Sequence, residues 1–365
     1  MSTSTEEMLW PEMADGSTVA QLDVLFVLLA SLTLIHAVYR RGALSGTAAV
    51  FFLLAHTAFF EHVSLFLGGT HCHATSPLLP MVTPCSSVNS LLFYAPWIYT
   101  SLEAARRLDL SPAAFPFAVG LLQIGFGAPY EMQGPAQAFW RWPTDEGIIA
   151  DAETLVPWEG YPPLTFLAEA KELGEVATIS STGSFRVSGH AGEALLSRTF
   201  LFPVLAPYFH FSYGFAWALG LALTGAVGSA AVPAFRRLLV AGALSVVLFL
   251  PPIWITRQVS EWAGLPLRIG VPLSLAASAL PVLLAWRSRR PKAHTLRTDP
   301  LLFAISLLMH GFMVTIPWRS GMPRPSPPGL SALVAFTSVV HLIAQYHCCI
   351  RTGVEMGTKL KRKGA

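Results

Sequence analysis

Charge is what this sequence has least of. Lys, Arg, Asp and Glu together make up 12% of its 365 residues, against about 25% in a typical soluble chain. Asparagine is almost missing: Asn89 stands alone and is followed by Ser90-Leu91, so there is no Asn-x-Ser/Thr acceptor. The chain has no phosphate-binding glycine loop, no nucleophile elbow, no nucleic-acid module and no complete metal motif such as two histidines four apart on a helix with a neighbouring glutamate. These gaps argue against nucleotide-dependent, serine-hydrolase and zinc-peptidase chemistry. The first twenty residues are acidic and lack the positive opening of a cleaved signal peptide.

What fills the chain is apolar. Hydrophobic residues reach 53% and the mean hydropathy is +0.52. A bilayer core needs about 20 mostly apolar residues per helix. Nine stretches meet that requirement, at 21–39, 47–68, 88–105, 113–132, 200–226, 236–256, 266–286, 299–317 and 329–350. The expected fold is therefore all-α, a polytopic transmembrane bundle of about nine helices. Arg40-Arg41, Arg106-Arg107, Arg236-Arg237, the Arg287 to Arg297 cluster and the basic tail all fall on one side of such a bundle. By the positive-inside rule that side is cytosolic. The domain plan follows: a lumenal or extracellular tail over 1–20, a membrane domain over 21–350 with a long acidic lumenal loop at 133–198, and a cytosolic tail over 351–365. Lys361 and Lys363 in that tail resemble a dilysine retrieval signal, pointing to the endoplasmic reticulum or another endomembrane. The same basic residues attract anionic membrane lipid.

Ionisable residues interrupt the apolar runs at His56, Glu61, His62, Glu131, His210, His310 and His341. A charge at the bilayer centre costs about 2.5–3.5 kcal/mol on insertion scales, so such residues face a bundle interior and mark candidate sites. Glu61, His62, Glu131 and His210 fall at similar, lumen-side depths and are the candidate acid/base groups. Tyr94, Tyr130, Trp140, Trp142 and His310 are the candidate substrate-contacting groups, and Trp140 and Trp142 also suit an interfacial belt. His56 and His341 read as ordinary core residues. No cofactor or resident metal is expected, although Glu61, His62, His210 and His310 could geometrically share an ion.

Cys72 and Cys85, thirteen residues apart in one lumenal loop, are expected to form a disulfide. Cys348 and Cys349 end the last helix at the cytosolic face, where reversible acylation and simple packing are both open. Ile179 to Gly192 is rich in Ser, Thr and Gly and reads as flexible. Gly214, Ala218, Ala222 and Ala226 form a small-residue stripe that allows close helix approach, within the chain or in a homo-oligomer.

Three stretches together carry a resemblance: Glu61-His62-Val63-Ser64, then Pro129-Tyr130-Glu131 through Gly134 to Trp140-Arg141-Trp142 and Thr144-Asp145, then Tyr208-Phe209-His210. In that order they resemble a family of eukaryotic multi-pass membrane proteins built on a domain of unknown function, over residues 50 to 220. The middle stretch is also similar to membrane-embedded carotenoid hydratases and related carotenoid-biosynthesis proteins. The first resemblance implies a fold and a site position. The second implies acid/base chemistry, hydration or isomerisation, on a lipid or polyene.

Three functions remain open. One is a lumen-facing polar cavity that binds or modifies a lipid or isoprenoid-like substrate, with a glutamate as acid and a histidine as partner. A proton- or cation-coupled transporter or channel would use the same residues. A structural membrane protein would use them only as helix-to-helix pairs.

Overall fold

The computed structural model describes residues 14, 16–68, 72–83, 86–141, 178–179, 185–186, 219–220, 222–223, 235–236, 238–244, 247–248, 276, 279–287, 298–318 and 328–351. These residues are mostly helical. The long helices are α1 (Gly16–Arg41), α2 (Ala43–Gly68), α3 (Val88–Arg107), α4 (Phe115–Ala136), α5 (Pro300–Thr315) and α6 (Pro328–Tyr346). They coincide, within a turn or so at either end, with the sequence expectations at 21–39, 47–68, 88–105, 113–132, 299–317 and 329–350. Residues 238–244 and 279–287 are helical as well. Among the described residues one helix, α1, is long and apolar enough to cross a membrane, with a mean hydropathy of 2.1. Shorter apolar helical pieces run over Ala43–Ala55, Phe115–Gly127, Pro300–Thr315 and Val334–Ile350.

Local chemistry explains the helix ends. The arginine pair closes α1 and Gly42 turns the chain with φ of +80°, a left-handed conformation that glycine adopts without a Cβ penalty. Its amide donates to the Val38 carbonyl at 2.8 Å, so α2 starts at once and packs back along α1. A Cβ on Gly46 would lie 2.5 Å from the Ala37 carbonyl carbon and oxygen, and only glycine permits that approach. Ser87 caps α3 by accepting from the Asn89 amide at 3.3 Å. Asp299 caps α5 by accepting from the Leu302 amide at 3.2 Å, with Pro300 at the first helical position.

α1 packs on α2, α3 and α5; α3 packs on α4; α4 and α5 both pack on α6. Two small antiparallel ladders tie down one end. β1 (Cys72–His73) pairs with β4 (Trp140–Arg141), and β2 (Met81–Thr83) with β3 (Ser86–Ser87). We call this the ladder end; the opposite end, where α1 and α3 finish in Arg40, Arg41, Arg106 and Arg107, is the arginine end. A third ladder joins β5 (Thr178–Ile179) to β6 (Phe185–Arg186), so the Ser/Thr/Gly-rich stretch expected to be flexible carries paired backbone. The rest of the 133–198 loop beyond Arg141, the 1–13 tail, the basic tail after Arg351 and the stripe positions Gly214, Ala218 and Ala226 lie outside the described residues.

The chain at Pro328 to Arg351 departs from a uniform helix. After Tyr346 the ladder of hydrogen bonds widens to a π-turn over His347–Arg351, and this frees the Cys349 carbonyl to accept from the Asp299 amide at 2.7 Å. Cys348 and Cys349 are both buried, and neither is in a disulfide. Of the two roles open to them, packing is the one their burial fits.

Candidate functional site

The side chains at the ladder end form a column of rings. His73 lies 5.9 Å from Trp140 by ring centroid, and Trp140 lies 4.4 Å from Tyr130. Tyr130 stacks at 4.2 Å on Phe93, which contacts Phe26 at 5.2 Å, Trp97 at 5.0 Å and Tyr94 at 5.7 Å. Phe93 also reaches Phe126 at 6.4 Å. Phe126 in turn stands edge-on to His310 at 5.8 Å and to His341 at 5.9 Å. Edge-on and tilted pairs at these distances each contribute about 0.5–1.5 kcal/mol beyond their burial. The column is dry: Phe26, Phe93, Trp97, Phe126 and Trp140 are essentially inaccessible.

Glycines in α4 make room for it. A Cβ on Gly134 would lie 1.8 Å from Trp140 Cη2, one on Gly127 2.7 Å from Trp97 Cζ2, and one on Gly125 2.5 Å from His341 Nδ1. The spacing Gly125, Gly127, Gly134 is thus a set of seats for rings from three other segments. Trp97 is fixed further by donating its indole N–H to the Gln123 carbonyl. Trp140 belongs to this core; its burial contradicts the interfacial-belt position expected for it.

At the foot of the column the imidazoles of His310 and His341 lie 4.8 Å apart, tilted by 34°. His310 Nδ1 is hydrogen-bonded to Ser338 Oγ at 3.1 Å. The Nε2 atoms of both rings are buried and have no hydrogen-bond partner. Contacts of Asp299 with Cys349, Phe303 with Tyr346 and His310 with His341 show that α5 and α6 run antiparallel. Ser306 Oγ and Gln345 Nε2, also buried and unpartnered, lie on the same stretch of this seam. Buried polar atoms are nearly always paired, so a group of four unpaired ones calls for an explanation. His341, read from sequence as an ordinary core residue, is therefore half of the pair that holds His310.

Beside this pair runs an apolar groove of about 300 Å³ between α4, α6 and Val282. Its wall includes Ala118, Leu122 and Gly125 on one side and Phe336, Val340 and His341 on the other.

Two polar networks that the sequence-based site omits are fully paired. At the arginine end, His36 Nδ1 is bonded to the Tyr99 hydroxyl at 2.9 Å and His36 Nε2 to Asp299 Oδ2 at 2.9 Å. Arg107 donates to the same Asp299 oxygen, while Arg41 and Arg106 converge on Glu103 Oε1 at 2.5 and 2.6 Å. At the ladder end the buried Asp23 carboxylate accepts from Ser76 Oγ at 2.6 Å and from Asn89 Nδ2 at 2.7 Å. Asp23 and His36 interrupt the first apolar run as His62 does the second, and that interruption is the signal by which they could be found. Their partners, 53 to 263 residues away, leave no local trace.

The sequence-based site residues divide as follows. Tyr94, Tyr130, Trp140 and His310 share the ring column. Glu61 and His62 lie on α2 and Glu131 on α4, each in the part of its helix nearer the ladder end. His210, Trp142 and Cys85, and with Cys85 the expected disulfide to Cys72, lie outside the described residues. Among the described residues no group of three or more His, Cys, Asp and Glu side chains could hold a metal ion. No protein-family model, curated protein or solved structure matches this chain.

Proposed function

We propose that this chain is a multi-pass membrane protein of the endomembrane system, a bundle of about nine helices with its C-terminus in the cytosol, that binds or modifies a lipid or isoprenoid-like molecule. Glu61, His62, Glu131 and His210 supply the acid and base groups. Tyr94, Tyr130, Trp140, Trp142 and His310 form the wall against the substrate. If the molecule is modified as well as bound, the reaction class is hydration or isomerisation, in which a buried glutamate gives a proton to an apolar, unsaturated chain and a histidine takes one up.

One observation carries the reading. Two imidazole nitrogens without partners stand in an otherwise apolar interior, at the foot of a ring column and beside an apolar groove. Residues serving only to pair helices would look like the His36–Asp299 pair, where every nitrogen is spent. A site that is mostly apolar with a few convergent polar groups is what a hydrophobic ligand requires.

The experiment is to replace Glu61 and Glu131 by Gln, and His62 and His210 by Asn, singly, in cells. Protein abundance and the cellular lipid and polyene pools are then measured. Normal abundance with an altered pool supports the reading. Loss of abundance alone assigns the residues to helix pairing, altered ion flux with unchanged pools assigns them to transport, and wild-type behaviour of all four removes the site.

A further inference from the structure

We propose that the groove between α4 and α6 is a lateral binding site for a linear apolar molecule carrying one neutral hydroxyl group, with His341 as the residue that recognises the hydroxyl. The inference rests on the reading above and narrows its substrate class to a long-chain alcohol. From Phe336 to Ala344 the α6 side of the groove extends about 12 Å, and from Ala118 to Gly125 the α4 side about 10 Å, at 1.5 Å per helical residue. A volume of about 300 Å³ is at the small end of ligand pockets, which run from about 300 to 1,000 Å³. Phe336 and Val340 on the rim are 64% and 50% exposed, so the trough is open along an apolar flank. That shape suits a single extended chain.

The wall contains two polar side chains, Thr337 and His341. Thr337 spends its hydroxyl on the Val334 carbonyl at 3.1 Å. His341 keeps Nε2 uncommitted but covered, so a guest's hydroxyl meets it once the ring turns toward the groove, and the ring can sit where it does only because position 125 is glycine. A hydroxyl both donates and accepts, so it satisfies this nitrogen in either tautomer. A carboxylate or phosphate would instead bring a net charge into a wall of Leu, Ala, Val and Phe, which is the costly case. The chemistry therefore selects an alcohol over a fatty acid or a phospholipid headgroup.

The test uses the purified full chain in lipid nanodiscs and a long-chain alcohol bearing a diazirine, with crosslinked positions mapped by mass spectrometry. Labelling is expected on residues 118–125 and 336–344. Unlabelled alcohol should compete about tenfold better than the alkane of equal length, the value of one hydrogen bond in a dry site. His341→Phe should abolish that preference while keeping the labelling, and Ala344→Phe, which fills the trough, should abolish the labelling itself. Equal competition by the alkane, a preference unchanged in His341→Phe, or labelling spread along the exposed face of α1 would overturn the proposal. Binding is read without turnover, so the two readings fail separately. Specific capture with unchanged lipid pools in the Glu61, His62, Glu131 and His210 variants would support the groove and sink the acid/base assignment.

Discussion

Substituting glycine by alanine at two helical positions should change stability in opposite directions. Gly311, inside α5, is exposed and a Cβ there meets nothing within 4 Å. Gly311→Ala should therefore stabilise the protein by about 1 kcal/mol, the helix-propensity difference between the two residues. Gly134 lies in the last turn of α4, where a Cβ would overlap three atoms of the Trp140 ring at 1.8, 1.9 and 2.3 Å. The ring has little room to retreat. Its backbone pairs with His73 in the β1–β4 ladder, the Phe139 amide donates to the Gly134 carbonyl at 2.8 Å, and the Ala74 amide donates to the Phe139 carbonyl at 2.8 Å. Its other side rests on Tyr130 at 4.4 Å. Overpacking of this kind costs about 1–3 kcal/mol, and disturbing the Trp140–Tyr130 contact adds about 0.5–1.5 kcal/mol. Together they exceed the propensity gain, so Gly134→Ala should be destabilising by about 0.5–3.5 kcal/mol. Thermal unfolding of the detergent-purified variants, followed by tryptophan fluorescence, checks the pair. Transitions that shift upward together would refute the ring column as the reason for a glycine at 134.

Other substitutions bear on the paired and unpaired polar groups. Asp299→Asn leaves Arg107 buried without its full counter-charge and should cost about 3–5 kcal/mol in thermal stability, as breaking one side of a buried pair does; the Asp299→Asn, Arg107→Gln double variant should lose less than the sum of the singles. Asp23→Leu strands Ser76 Oγ and Asn89 Nδ2 and should cost about 1–3 kcal/mol in the same assay, whereas Asp23→Asn, which can still accept and donate, should cost less. Ser338→Ala leaves His310 Nδ1 without its hydrogen bond and should lower stability by about 1 kcal/mol. His341→Phe removes a nitrogen that has no partner, so its unfolding transition should lie close to that of the unaltered protein.

Six of the nine expected helix positions were legible because apolar length is a local signal. Site geometry was legible only in part. Tyr94, Tyr130, Trp140 and His310 do share one buried column, but His341 joins them through an antiparallel seam that no spacing in the sequence encodes. Its pairing with His310 depends on how α5 and α6 slide past each other, and on glycine at position 125 in a third helix. The charged clamp of His36, Asp299 and Arg107 was invisible for the same reason. His36 reads alone as an interruption of an apolar run and Asp299 and Arg107 as helix-end residues, and the meaning lies in a contact spanning 263 residues between His36 and Asp299.

The interior polar groups separate into two kinds, and the distinction bears on function more directly than their mere presence does. Asp23, His36, Glu103 and Asp299 are buried or nearly so, yet the atoms that could be costly are engaged by Ser76, Asn89, Tyr99, Arg41, Arg106 and Arg107. Such groups lose their hydration and recover it from the protein; they hold α1, α3 and α5 in register at the two ends. His310, His341, Ser306 and Gln345 lie between those ends and recover only part of it. A helix seam held by van der Waals packing alone would be better served by Ala and Leu at these four positions, because unpaired donors in a dry interior oppose folding. One of the four, His341, also lines the apolar groove between α4 and α6. The arginine-end clamp fixes the start of α5 against α1 and α3 through Asp299, so stability is concentrated where polar groups are paired rather than along the α5–α6 seam.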